Sequence, residues 1–183
     1  MTQRLFVALN LDPPTKLALG RLLTQLPNQS GVAKTKIDNL HLTLQFLGEI
    51  DEELIPQIQT ILNTAVIHYQ PLVLSFTQLG AFPNWVQPHS IWIGISCPSL
   101  MKLQDELAQQ LIKLVPTMDT KPFQPHLTLA RIKSPLSSAE LSSIQTIPIA
   151  SLTNQINHID LMASELTPRG SIYTCLSQHQ LTT

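Results

Sequence analysis

Two short stretches of this chain carry the residue types that acid–base chemistry requires: His41-Leu42-Thr43-Leu44 and, far downstream, His126-Leu127-Thr128-Leu129. In an extended strand, residues i and i+2 share a face. His41 and Thr43 therefore project together with leucines behind them, and His126 and Thr128 repeat the arrangement. With an unperturbed pKa of about 6.5, imidazole exists in both protonation states near neutrality. One ring can take a proton from an attacking oxygen while the other gives one to a departing oxygen. A threonine hydroxyl beside each ring can donate to non-bridging oxygens, where charge grows during displacement at phosphorus. Zinc would need further ligands, yet neither motif contains Asp, Glu or Cys, and the nearest carboxylates, Asp38 and Asp119, precede the two strands. No metal and no cofactor is expected.

The elements that must hold these residues follow from periodicity. Arg4–Leu11 is rich in strand formers, and Asp12-Pro13-Pro14 supplies an N-cap and an early proline for a helix running to Pro27. Residues 28–36 form a Gly-containing loop before the strand Asn39–Gly48. Asp51 caps a second helix with Pro56 near its start, and Leu72–Leu79 and Ser90–Cys97 are strands separated by the proline-rich loop Phe82–Pro88. A helix over Ser99–Leu114, a strand over Phe123–Ile132 and a weaker helix over Ser137–Ile144 follow. Two closing strands, Ile156–Glu165 and Ser171–His179, flank the turn Thr167-Pro168-Arg169-Gly170. Helices mixed with hairpin-like neighbours predict an α+β fold with antiparallel sheets. The duplicated tetrapeptide predicts two pseudo-symmetric lobes, each a sheet with flanking helices, facing one another across a central cleft within a single domain spanning residues 1–183.

Composition narrows the partners. With 11 basic and 12 acidic residues the net charge is −1, so no basic stripe exists for a long polyanion; a nucleic acid would be held at its end or over a few nucleotides. The apolar run Leu5–Leu11 is too short for a signal peptide or a membrane span. Cys97 and Cys175 match no metal spacing and read as small core residues of a reduced, cytoplasmic protein.

The flanks make the motif specific. Arg4-Leu5-Phe6-Val7-Ala8, Asn39–Gly48, Pro122-Phe123-Gln124-Pro125-His126-Leu127-Thr128-Leu129-Ala130-Arg131 and Ser164–Tyr173 occur in this order along nearly the whole chain. Together they resemble the two-histidine phosphoesterase superfamily, and most closely its RNA 2′,3′-cyclic phosphodiesterases, formerly called 2′-5′ RNA ligases. The resemblance implies a bilobal α+β fold and hydrolysis of an RNA-terminal 2′,3′-cyclic phosphate to a 2′-phosphate. It also implies that His41 serves the departing 3′-oxygen as acid and His126 the incoming water as base. The substrate would be an RNA 3′ end or a small nucleotide bearing that phosphate, bound by a monomer with no membrane and no obligate protein partner.

Around the histidine pair, Thr43, Thr128, Arg131 and Phe6 are expected to bind phosphate or substrate. Arg131 matches a family arginine, but strict alternation puts it on the face opposite His126, so it reaches the cleft only through a bulge or strand end. Phe46 meets the same conflict after His41 and reads as core. Phe6 falls opposite Val7 and Leu9, where it could stack on a base. Tyr173 and Arg169 read as surface residues, and Gly170 as a backbone requirement of its turn. His68, His89, His158 and His179 have no threonine partner and read as structural or exposed. Alternative functions are the same chemistry on small cyclic nucleotides or 2′-5′ oligonucleotides, 2′-5′ ligation as the reverse reaction, or a non-catalytic RNA-end binding module. Pure phosphate binding would favour Arg or Lys over two histidines.

Overall fold

A computed structural model describes residues 1–168 and 170–182. Arg169 lies outside the described residues. In chain order the elements are β1 (Thr2–Asn10), α1 (Pro13–Gln25), β2 (Val32–Lys34), β3 (His41–Asp51), α2 (Ile55–Val66), β4 (Leu72–Phe82) and β5 (Ser90–Ser96). There follow α3 (Leu100–Leu114), β6 (His126–Ile132), α4 (Ser138–Gln145), β7 (Thr153–Ile156), β8 (His158–Thr167) and β9 (Gly170–Gln180). Two sheets result, in the orders β3-β1-β8-β9 and β2-β6-β5-β4-β7, with every pairing antiparallel. The fold is α+β, as expected.

Local chemistry accounts for most boundaries. Asp12 caps α1, its Oδ1 accepting from the Thr15 amide at 2.7 Å, with proline in the first turn. Ser137 and Glu140 form a capping box on α4. Gly170 takes φ +109°, a conformation that favours glycine, at the β8–β9 turn. In α3, Leu103, Leu107 and Leu111 recur at i+4 and are fully buried. They join Ile58 and Leu62 of α2 and the inward leucines and isoleucines of both sheets in one continuous apolar cluster. Full burial of one such side chain contributes about 1.5–3 kcal/mol.

Several boundaries differ from expectation. Asp51 makes no side-chain cap; a 3-10 turn over Glu52–Leu54 intervenes, and α2 begins at Ile55 with Pro56 in its first turn. The 28–36 loop contains β2, a three-residue strand that exists because the edge of β6 offers it a ladder. The strand expected over Phe123–Ile132 starts only at His126, since Pro122 and Pro125 cannot donate to a ladder. The stretch read as one strand from Ile156 is two: β7 pairs with β4 in one sheet, and after Asn157 β8 pairs with β1 in the other. Cys97 is buried as expected, whereas Cys175 is exposed on the edge strand β9. Among the described residues no helix is long and apolar enough to cross a membrane.

Candidate active site

His41 and His126 each open a strand, and the two strands hold them alike. His41 lies opposite Asn10 and Thr43 opposite Ala8 on β1. His126 lies opposite Gly94 and Thr128 opposite Trp92 on β5. In both pairs the register then shifts by one residue, at Leu44 and at Leu129. Each shift is a β-bulge that seats two consecutive residues in the interior, Leu44-Gln45 and Leu129-Ala130. The burial sequences of the two motifs are identical over seven residues.

The bulges settle where the residue five positions after each histidine points. Past them, Phe46 lies opposite Phe6 and Arg131 opposite Ser90, each returned to the face of its histidine. Arg131 is exposed there. Phe46 is not core: it is 48% exposed, and its ring centroid lies 6.1 Å from that of Phe6. Phe6 is on the expected face but only 3% exposed, packed with Ala8, Met162 and Tyr173. A ring so covered has no free face for a base. Phe46 does.

Both imidazoles are half-buried and oriented by the same device. His41 Nδ1 lies 2.7 Å from the Asn39 carbonyl and His126 Nδ1 2.7 Å from the Gln124 carbonyl, two residues upstream in each case. A carbonyl only accepts, so Nδ1 carries the hydrogen and Nε2 keeps its lone pair in the neutral ring. Nε2 of His41 lies 2.9 Å from Thr43 Oγ1, joining the i and i+2 partners. Aromatic edges fix the rings further. Tyr173 meets His41 at 5.2 Å and 88°, with Phe6 at 5.1 Å; Phe82 meets His126 at 4.9 Å and 87°, with Trp92 at 5.9 Å. Tyr173 therefore belongs to the wall of the site rather than to the outer surface.

Electrostatics favours neutral imidazole at both positions. Burial pushes the pKa of each ring below the usual histidine value, opposed by the carbonyl that binds Nδ1. For His41, the positive charges of Lys16 and of His126 lower it further. The two histidines thus lie within electrostatic reach of one another, and β3 and β6 touch across the two sheets. A phosphate between them would reverse the balance, its negative charge favouring protonation of a ring.

Sequence reasoning missed four participants. Phe82 and Trp92 wall the His126 side, and Lys16 on α1 reaches toward His41. Asp160, fully buried on β8, accepts from Asn10 Nδ2 at 2.7 Å and Gln178 Nε2 at 3.1 Å, and Asn10 is the cross-strand partner of His41. A carboxylate inside the apolar run Ile159-Asp160-Leu161-Met162 was the available signal. The remaining histidines lie elsewhere: His179 is buried between Ser177 and Asn63, His158 pairs with Asp160 at 3.4 Å, and His68 and His89 are exposed. Among the described residues no group of three or more His, Cys, Asp or Glu is arranged to hold a metal ion.

Comparison with known proteins agrees with this architecture. The family model described as the 2′-5′ RNA ligase superfamily matches residues 17–166. A protein of Archaeoglobus fulgidus named RNA 2′,3′-cyclic phosphodiesterase is 35% identical over 93% of this chain and 96% of its own length. One of the same name from Methanothermobacter thermautotrophicus is 29% identical over 99% of this chain and its whole length. A crystal structure from Thermus thermophilus superposes with a TM-score of 0.85, at 29% identity and 97% coverage of both chains. The structure of E. coli LigT complexed with 3′-AMP superposes with a TM-score of 0.81, at 25% identity over the whole of both chains. A match of this extent, over the very strands that carry the paired histidines, makes the chain a member of the 2′-5′ RNA ligase superfamily.

Proposed function

We propose that this protein hydrolyses an RNA-terminal 2′,3′-cyclic phosphate to a 2′-phosphate, with His41 and His126 as its proton-transferring pair. The observation that carries the reading is the twin arrangement of the two rings: each Nδ1 bound to a carbonyl two residues upstream, each ring beside a same-face threonine, and the pair within reach of each other's charge. The names of the relatives at up to 35% identity, and a 3′-AMP complex among the similar structures, support an RNA-end substrate.

In this reading the phosphate sits between the strands. His126 Nε2 takes a proton from water as its oxygen bonds to phosphorus, and protonated His41 gives one to the departing 3′-oxygen as the P–O3′ bond breaks. The 2′-ester bond remains. Thr43 and Thr128 donate to the non-bridging oxygens, Arg131 adds charge beside them, and Phe46 offers its open face to the terminal base. The chain acts as one two-lobed domain, monomeric and cytoplasmic; the single apolar cluster that runs through both sheets supports the first of these.

The test is an RNA oligonucleotide ending in 2′,3′-cyclic phosphate, with the product resolved as 2′- or 3′-phosphate. His41→Ala and His126→Ala should each lose about 100-fold or more in kcat, and EDTA should leave the wild-type rate intact. Wild-type turnover by either variant, or a 3′-phosphate product, would overturn the assignment.

A further inference from the structure

Lys16, in the first turns of α1, has no part in the duplicated motif. Its Nζ donates to the carbonyl of Asp38 at 2.8 Å. Asp38 lies in the 3-10 turn Ile37–Asn39, one residue before β3, and the next carbonyl along, that of Asn39, binds His41 Nδ1. The same turn is held from two other directions. Ile37 packs so closely on α1 that a Cβ added to Gly20 would lie 2.8 Å from its Cδ1. Asn39 Nδ2 donates to the Ser171 carbonyl of β9 at 2.9 Å. On the other lobe the approach to His126 is tied by backbone, the Ile95 amide donating to the Pro125 carbonyl at 3.1 Å.

The ammonium also brings charge. The groups facing the His41 ring are Lys16 from α1, His126 from β6 and Tyr173 from β9, the first two disfavouring its protonation. Lys16 itself faces Asp38 and, from β8, Asp160; both favour its charged form against the burial that pushes its pKa down.

We propose that Lys16 is a positioning residue for His41: it pins the turn that orients the imidazole, and it sets beside that ring a positive charge that an entering phosphate anion neutralises. His41 then gains its proton as the phosphate arrives, rather than carrying one in the empty cleft. The inference rests on His41 being a reacting group, but its test reads the ring directly and can fail while turnover stands.

The test follows the histidine ring resonances against pH, with and without inorganic phosphate, in the wild type and in Lys16→Met, Lys16→Gln and Lys16→Arg. Lys16→Met should raise the proton affinity of His41 by about three- to tenfold, shrink the upward shift caused by phosphate, and lower kcat about tenfold. Lys16→Gln keeps a donor for the Asp38 carbonyl without the charge, and should recover part of kcat but not the titration. Lys16→Arg should recover both, which a general folding defect would not allow. An unchanged His41 midpoint in Lys16→Met or Lys16→Gln, or no recovery with arginine, would overturn the proposal.

Discussion

Gly80 gives the sharpest mechanical test of the His126 wall. A Cβ placed on it would stand 2.2 Å from Cζ2 and Cη2 of Trp92 and 2.6 Å from Cε2. Non-bonded carbons rest about 3.5–4.0 Å apart, so in Gly80→Ala the indole must withdraw by about 1.5 Å. It has little room, being 8% exposed, with the Phe82 ring at 5.1 Å and the His126 ring at 5.9 Å. Overpacking of this kind costs about 1–3 kcal/mol. A displacement near 1 Å passed on to His126 would lower kcat by about 10- to 100-fold. Trp92→Phe removes the clashing atoms, and among the described residues the Trp92 Nε1 has no hydrogen-bond partner to lose. Gly80→Ala/Trp92→Phe should therefore be more stable than the sum of the single changes by at least about 1 kcal/mol. Urea unfolding of the four proteins, with turnover of a cyclic-phosphate oligonucleotide, measures both quantities. An unchanged urea midpoint in Gly80→Ala, or strict additivity in the double variant, would refute this account of the wall.

Other outcomes follow from the same geometry. Arg131→Gln should lower kcat/KM by about 10-fold or more with the urea midpoint unchanged, because the side chain is exposed; kinetics beside unfolding curves checks this. His41, His126 and His179 are all held below the usual histidine pKa, chiefly by burial, so the unfolded chain binds more protons than the folded one below about pH 6.5. Stability should be full above that value and fall as pH drops toward the folded-state pKa values, as urea midpoints between pH 7.5 and 5 would show. Asp160→Leu takes the carboxylate acceptor from the half-buried Asn10 Nδ2, while the exposed Gln178 amide turns to water and His158, and should cost about 1–3 kcal/mol, measured as a lowered thermal midpoint. Leu127→Ala empties a fully buried core position behind the His126 and Thr128 face and should cost about 2–5 kcal/mol in urea unfolding.

What the sequence discloses depends on how local the cause is. The duplicated His-x-Thr pairs, the Asp12 cap and the leucine face of α3 announce themselves because each is written within a few residues. The face of Phe46 and Arg131 is not, since period-two reasoning assumes an unbroken ladder, and the bulges at Leu44 and Leu129 appear only once β1 and β5 are paired alongside. The division between β7 and β8 is likewise invisible until each finds a different sheet. Lys16 and Tyr173 reach His41 from α1 and β9, so no spacing along the chain could have joined them to it.

The twin bulges carry one more consequence. A frame built by duplication would, left to itself, accept a small ligand equally well in either of two opposed orientations. At corresponding positions just beyond the bulges this chain installs a flat hydrocarbon ring on one side, Phe46, and a cation on the other, Arg131. On the function proposed above, this pair of unlike residues helps break the degeneracy: a nucleotide, aromatic at one end and anionic at the other, would have one preferred way to lie.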